Sequence, residues 1–212
     1  PSNYEMVEAP TAYTLLHGGY DVLTRLVDDG GLFLRANIGF RSHFMFGFSV
    51  NATNVVGHGP VEAQEPRLAL KVKLFDQGKF PLALALGWDD RGYGTTQGRL
   101  FTPGLQKGFY GVASREFPKA GFLQLHGGVN AVRLKDFDSD RDLGIFTGTS
   151  FAVARFLYFS MEADKLLTDF WQLNANFQFA FEEPIRIGMD FREMNRSEGY
   201  TRILRIQYLS FF

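Results

Sequence analysis

Apolar and polar residues alternate along most of the chain, with the two-residue period of a half-buried β-strand. Between residues 44 and 52, for example, phenylalanine, valine and alanine occupy the even positions, while Met45, Gly47 and Ser49 stand at odd ones. No segment shows a capped apolar stripe with the 3.6-residue period of a helix. The alternation predicts an all-β chain with twelve strands, at residues 14–27, 32–40, 44–54, 67–75, 81–88, 108–115, 121–133, 142–151, 157–164, 170–181, 185–193 and 199–212.

The predicted strands have the length and the polar face of strands that cross a membrane. Many are long, as a tilted membrane strand of about 9–11 residues must be, whereas soluble strands usually have about five or six. The polar positions within 124–130 and 172–178 are compact and uncharged, as on the inner wall of a barrel. A soluble sandwich or barrel also alternates, but aromatic residues near the strand ends favour the membrane.

The connections between strands predict how the sheet is arranged. Short turns lie at one end, and both long loops, 55–66 and 89–107, lie at the other, as in outer-membrane barrels with short periplasmic turns and longer extracellular loops. Because lipid satisfies no backbone hydrogen bonds, the sheet must close on itself. We therefore predict one domain over 1–212, a single closed antiparallel transmembrane β-barrel of about 12 strands (roughly 10–14), with residues 1–12 as a periplasmic segment.

Composition and charge exclude several other classes of protein. Lys+Arg number 22 and Asp+Glu number 23, so the net charge is −1 and no nucleic-acid partner is expected. Apolar residues make up 45% of the chain, which excludes a disordered protein. Cysteine is absent, and we predict neither a metal site nor a cofactor. The alternating aspartates of 136–142 could hold Ca²⁺, but a solvated acidic loop fits better because the glycine and terminal glutamate of an EF-hand loop are missing.

Polar and charged residues on the inward parity define the predicted wall of the lumen. Ionic groups are costly on the lipid face and tolerable in a wet or paired interior. Seven basic and three acidic residues point inward, which indicates either a narrow, weakly anion-favouring pore or an arginine–carboxylate network that braces a closed barrel. The predicted lumen-lining residues are His17, Asp21, Arg25, Arg35, Asn37, Lys71, Lys73, Gln124, His126, Asn130, Glu162, Gln172, Asn174, Asn176, Gln178, Arg186, Asp190, Arg192 and Arg205.

One pair of residues raises the question of catalysis. His17 and Asp21 are four residues apart on one parity of the first predicted strand, so both would face the same side. Such a pair could serve as a general base, but a hydrogen-bonded histidine in the lumen is the simpler interpretation. We predict no catalytic residues and no enzyme, and keep an outer-membrane hydrolase or protease with a His/Asp site in the lumen or at its rim as the alternative.

The last strand resembles the C-terminal strand signal of bacterial outer-membrane proteins. The barrel-assembly machinery reads that signal in the family at large, so the resemblance implies this machinery and outer-membrane lipids as partners. It also implies export to a bacterial outer membrane with removal of a signal peptide. Ser210 departs from the pattern, in which an apolar residue is usual. The residues that carry the resemblance are Leu204, Ile206, Tyr208 and Phe212.

Further motifs resemble a poorly characterised family of bacterial outer-membrane barrels, loosely similar to the YjbH-type barrels linked to exopolysaccharide. These motifs look structural, so the resemblance implies a fold and a location but no reaction. Two functions rank nearly equal: a membrane-embedded scaffold or subunit in a complex with other envelope proteins, and a narrow pore for small solutes. The motifs include Gly19-Tyr20-Asp21-Val22, Leu86-Gly87-Trp88-Asp89 and His126-Gly127-Gly128-Val129-Asn130.

Overall fold

The chain folds into antiparallel strands joined by turns and loops. The computed structural model of the protein describes residues 4–27, 30–57, 59–91, 95–96, 99–100, 107–118, 122–131, 143–154, 156–166, 171–181, 184–197 and 199–212. The strands are β1 (Gly19–Val27), β2 (Leu32–Phe40), β3 (Phe44–Thr53), β4 (Glu62–Ala63), β5 (Arg67–Phe75), β6 (Ala83–Asp89), β7 (Thr95–Thr96), β8 (Arg99–Leu100), β9 (Gly108–Phe117), β10 (Leu123–Ala131), β11 (Leu143–Ala154), β12 (Leu157–Leu166), β13 (Gln172–Ala180), β14 (Ile185–Arg192) and β15 (Thr201–Phe211).

Twelve long strands among the described residues form one sheet that closes on itself. The order around it is β1, β2, β3, β5, β6, β9, β10, β11, β12, β13, β14 and β15. The last strand then pairs with the first, from Gly19 opposite Phe211 to Val27 opposite Ile203. The short strand β4 pairs with β3, and β7 pairs with β8. The predicted all-β, twelve-stranded, closed antiparallel barrel is confirmed.

The two faces of the strands differ as the alternation predicts. In β3, Phe46 and Phe48 are exposed on the outside, whereas Met45 and Ser49 are buried inside. The exposed positions on the other long strands are likewise mostly phenylalanine, leucine, isoleucine and valine. An outer face of this kind suits hydrocarbon better than water. Within the described residues, no helix is long and apolar enough to span a membrane.

The ends of the barrel are unequal. At one end the strands are joined by the connections 41–43, 76–82, 118–122, 155–156 and 181–184, none of them longer than seven residues. At the other end lie the connections 28–31, 54–66, 90–107, 132–142, 167–171 and 193–200. By the rule for outer-membrane barrels, the first end is periplasmic and the second extracellular.

The chain before β1 departs most from the sequence prediction. The first strand begins at Gly19 and not at residue 14. Residues 4–12, expected to lie in the periplasm as part of a 1–12 segment, are instead buried within the barrel, and Met6 and Val7 are fully enclosed. The prediction is wrong for residues 4–12 because side chains of the barrel wall, and not water, take up the hydrogen bonds of this backbone.

Candidate functional site

Residues 4–12 form a small hairpin inside the barrel, which we call the luminal hairpin. The Met6 N–H donates to the Ala9 carbonyl at 3.0 Å, and the Thr11 N–H donates to the Tyr4 carbonyl at 3.3 Å. The chain therefore reverses between Met6 and Ala9, and this turn is the tip of the hairpin. Hairpins of this length are marginal on their own, so contacts with the barrel wall must hold it in place.

Three consecutive N–H groups at the tip donate to one carboxylate of the wall. Val7, Glu8 and Ala9 donate to the Glu162 carboxylate of β12 at 3.1, 2.9 and 2.8 Å. Asn174, on the neighbouring strand, donates to the same carboxylate at 2.8 Å. Successive amides that converge in this way form an anion-binding concavity. The tip of the hairpin is thus fixed against β12 by a charge-assisted contact.

A cluster of buried arginines lies on four strands that are consecutive in the barrel, β14, β15, β1 and β2. Asp190 is shared between two of them, at 2.8 Å from Arg25 and 3.5 Å from Arg205. Asp21 lies 4.0 Å from Arg35. Among the described residues of these four strands, two wall carboxylates therefore face four guanidinium groups, and the wall here carries more positive than negative charge. We call this cluster the arginine arc: Arg192, Arg205, Arg25 and Arg35, each at most 2% exposed.

The two glutamates of the luminal hairpin balance the excess charge of the arginine arc. Glu5 forms an ion pair with Arg35 of β2. One oxygen of Glu8 lies 2.8 Å from Arg192 Nε and 3.7 Å from an Arg25 nitrogen. All of these groups are buried, so each guanidinium meets its carboxylate in a site shielded from water.

Backbone carbonyls of the luminal hairpin also face the arginine arc. Arg205 donates to the Met6 carbonyl at 3.2 Å, and Arg25 donates to the Val7 carbonyl. The tip of the hairpin is therefore oriented by charge. The carbonyls of Met6 and Val7 point towards the arc, while the N–H groups of residues 7–9 point towards Glu162 on β12.

Burial affects the two glutamates of the luminal hairpin differently. Burial would raise the pKa of Glu5, but Arg35 and the neighbouring arginines outweigh it and lower the pKa to about 2. Burial raises the pKa of Glu8 to about 7, because Arg192 and Arg25 only partly offset it. The neighbouring arginines thus favour the carboxylate form of Glu5 more strongly than that of Glu8.

Strands outside the arginine arc also contact the luminal hairpin and the residue that follows it. Lys71 of β5 donates to the Tyr4 carbonyl at 2.7 Å and to the Tyr13 carbonyl at 3.2 Å. The Ala12 N–H donates to the Ser114 hydroxyl of β9 at 2.8 Å. Contacts of residues 4–13 therefore reach strands on several sides of the barrel.

Ser114 begins a hydrogen-bonded row along the wall. Its hydroxyl lies 2.8 Å from His126 Nδ1, and His126 Nε2 lies 3.3 Å from the Ser150 hydroxyl. Ser150 in turn donates to the Gln124 side chain at 3.0 Å. A catalytic triad would place a carboxylate on the second histidine nitrogen, whereas a hydroxyl stands there. The row serves to satisfy buried polar groups next to the luminal hairpin.

Two basic residues beyond the strands were missed by the parity argument. Arg91 pairs with Asp89 at 2.6 Å and donates to Asn37 at 2.7 Å. Lys107 forms an ion pair with Asp164. Both basic residues lie in the connection 90–107, where the strand period gives no direction, yet both are buried.

Most of the predicted lumen-lining residues lie inside the barrel. Lys73, Gln172 and Arg186 are half-buried: Lys73 lies 2.6 Å from Asp76, and the Arg186 guanidinium lies over the Tyr158 ring. The fully buried ones are Asp21, Arg25, Arg35, Asn37, Lys71, Gln124, His126, Asn130, Glu162, Asn174, Asn176, Gln178, Asp190, Arg192 and Arg205.

His17 is the exception, and its assignment to the lumen is wrong. It precedes β1 and is exposed at the periplasmic rim, where the Arg41 N–H donates to its Nδ1 at 3.3 Å. Asp21 is fully buried and accepts hydrogen bonds from Asn37 and Gln207. The two residues proposed as an acid–base pair therefore lie in different surroundings, because the strand that would align them begins only at Gly19.

Other predicted features lie outside the lumen. Leu204, Ile206, Tyr208 and Phe212 are exposed on the outer face of the last strand and just after it, and their role as an assembly signal stays a prediction. No group of three or more histidine, aspartate or glutamate side chains suited to a metal occurs in the part of the chain that the structure describes. The aspartates of 136–142 lie outside the described residues.

Gly39 marks the place where the chain passes from the rim into the lumen. A Cβ at this position would lie 2.3 Å from the Leu16 carbonyl oxygen and 2.6 Å from that of Leu15. The Gly18 N–H donates to the Gly39 carbonyl at 3.1 Å. The entering backbone thus approaches β2 more closely than any side chain would allow.

Replacing Gly39 with alanine is expected to lower the stability of the folded barrel by about 1–3 kcal/mol, since the added methyl group overlaps backbone atoms that cannot rotate away. The measurement is the urea midpoint of the barrel refolded in lipid vesicles. Gly127→Ala is the matched control, because a Cβ there meets its nearest described atom at 3.9 Å. Equal midpoints for the two variants would show that the entering chain does not pack against Gly39.

The closed sheet, the apolar exterior and the polar, charge-paired interior define the class of protein. The fold is that of a porin-like β-barrel, and its outer face indicates the outer membrane. Two solved structures share this fold. KdgM porin matches with a TM-score of 0.57 at 9% identity, over 92% of this chain and 99% of that one. KdgM porin in complex with disordered oligogalacturonate matches with a TM-score of 0.53 at 10% identity, over 92% and 99%.

Comparison of the sequence with known families and proteins assigns this chain to no family. No protein-family model matches the chain, and no curated protein is significantly similar to it. The resemblance to YjbH-type barrels stays a prediction, since neither of these structures is such a barrel.

Proposed function

We propose that this barrel is a narrow, anion-favouring pore for small solutes in a bacterial outer membrane. The observation that carries the proposal is the arginine arc, four buried guanidinium groups on consecutive strands, which share two carboxylates, Asp21 and Asp190, among the described residues of these strands. Glu5 and Glu8 balance this positive charge while the luminal hairpin is docked. When the hairpin moves aside, the basic wall of a narrow lumen attracts anions and repels cations. The docked luminal hairpin covers these guanidinium groups, so the current through one barrel should be small.

The fold of KdgM porin supports a pore, and one KdgM structure contains oligogalacturonate, whose sugar units carry carboxylates. No observation on the described residues favours the scaffold in an envelope complex. The enzyme alternative loses the pair on which it rested, because His17 is exposed at the rim whereas Asp21 is fully buried in the lumen. The proposal also includes export with removal of a signal peptide. Insertion into the membrane is then by the barrel-assembly machinery.

Recordings from planar bilayers across a KCl gradient test the charge preference directly. We expect small conductance steps and a reversal potential on the anion side. Arg205→Gln should move that potential towards zero, because it removes one charge of the arginine arc. Arg202→Gln is the matched control on the same strand, since this residue is exposed on the opposite parity. The absence of any conductance, or a cation preference in the unaltered protein, would refute the proposed pore.

A further inference from the structure

The luminal hairpin contacts the arginine arc as a bound ligand would. Its two carboxylates stand at separate positions: Glu5 on Arg35, and Glu8 between Arg192 and Arg25. All of these contacts join groups at least seventeen positions apart in the chain, as Arg25 and Glu8 are. The hairpin thus places two carboxyl side chains of the same chain on the basic wall.

Part of the wall is also held by contacts that do not involve the hairpin. Asp190 holds Arg25 and Arg205, while Asp21 receives hydrogen bonds from Asn37 and Gln207. The contacts with Glu5 and Glu8 show that these guanidinium groups take carboxylates from outside the wall. Arginine suits this role because its planar fork matches the geometry of a carboxylate.

We infer that the arginine arc is a binding site for small dicarboxylates, and that Glu5 and Glu8 occupy it in place of the solute. The inference rests on the proposed pore, since it names the class of solute that the pore would take. A dicarboxylate that enters the lumen competes with the luminal hairpin for the same guanidinium groups. Binding of the solute and docking of the hairpin are then mutually exclusive.

Displacement of the hairpin can be followed with one thiol, because the chain contains no cysteine. Val7→Cys places that thiol at the enclosed tip, where a hydrophilic maleimide reaches it only when the hairpin leaves. The probe solutes are adipate, a flexible dicarboxylate, and adipamide, its neutral counterpart, added at pH 8 to the full-length barrel in lipid vesicles. We expect adipate to accelerate labelling at least fivefold and adipamide to leave the rate unchanged.

A second variant tests the role of the glutamate itself. In the Val7→Cys background, Glu5→Gln weakens the contact with Arg35, so half-maximal acceleration should occur at a tenfold lower adipate concentration. Glu65→Gln, an exposed carboxylate in the connection 54–66, is the matched control and should behave as the parent does. If the Glu5 variant fails to fold, the comparison of adipate with adipamide on the parent still decides.

Equal labelling with adipate, with adipamide and with no solute would overturn the inference, even if the pore proved anion-selective in bilayers. A dependence of the rate on adipate alone would support it. If adipate accelerated labelling while bilayer recordings showed no conductance, the binding site would be supported and the pore refuted. The failure of one proposal is therefore distinguishable from the failure of the other.

Discussion

Replacing Leu86 with arginine is expected to prevent stable assembly of the barrel in lipid. Leu86 lies in the middle of β6 and is 53% exposed on the outer face. An arginine on the lipid face near the bilayer midplane costs about 2–4 kcal/mol, a large part of the stability of a typical domain. The measurement is the fraction of folded barrel in lipid vesicles across a urea titration.

The matched control for Leu86→Arg is Val56→Arg. Val56 is 69% exposed, but it lies in the connection 54–66, beyond the strands at the extracellular end. A soluble protein would tolerate arginine at both exposed positions, whereas a membrane barrel tolerates it only in the loop. Equal retention of the two variants would therefore show that water, and not hydrocarbon, surrounds the apolar face.

Replacing Glu162 with glutamine is expected to release the luminal hairpin. The Glu162 carboxylate accepts three N–H groups of the hairpin tip, and its amide substitute offers one oxygen and two competing hydrogens. Hydrogen bonds to a charged group contribute about 1.5–3 kcal/mol each. A net loss of about 2 kcal/mol lowers the ratio of docked to undocked hairpin roughly 30-fold.

Two measurements should record the release of the hairpin. Maleimide labelling of Val7→Cys should become faster, and the mean current through single barrels in bilayers should rise. Glu193→Gln is the matched control, because Glu193 is also a buried carboxylate but pairs with Arg196, at 3.1 Å, and not with the hairpin. If the Glu162 and Glu193 variants label at the same rate, the three N–H contacts do not hold the hairpin.

The facing of residues along the strands was predictable because it depends on local pattern alone. In β3, successive side chains point to opposite sides, so the phenylalanines at 44, 46 and 48 had to share one face. The same reasoning placed Arg25, Arg35 and Arg205 inside, where the structure has them. It failed for His17, because the residue types already alternate from residue 14, whereas the first strand begins only at Gly19.

One feature of the sequence indicates that something fills the lumen. The excess of basic over acidic residues on the inward parity indicates that anions from elsewhere complete the interior, and Glu5 and Glu8 supply them. Nothing in residues 4–12 shows that they enter the barrel, since they carry neither a turn signal nor a regular period. Arg91 and Lys107 were missed for a similar reason, because side chains in loops do not alternate between two faces of a sheet.

Alternation along the chain was therefore enough to establish the closed sheet, its lipid face and its polar interior, because the solvent on each side of a strand selects the residue types there. What fills that interior was decided in three dimensions. Glu162 meets the tip of the luminal hairpin across more than 150 positions of sequence, as the separation of 155 from Val7 shows. Contacts of that kind exist only after the last strand has joined the first, when the arginine arc and β12 surround the same space.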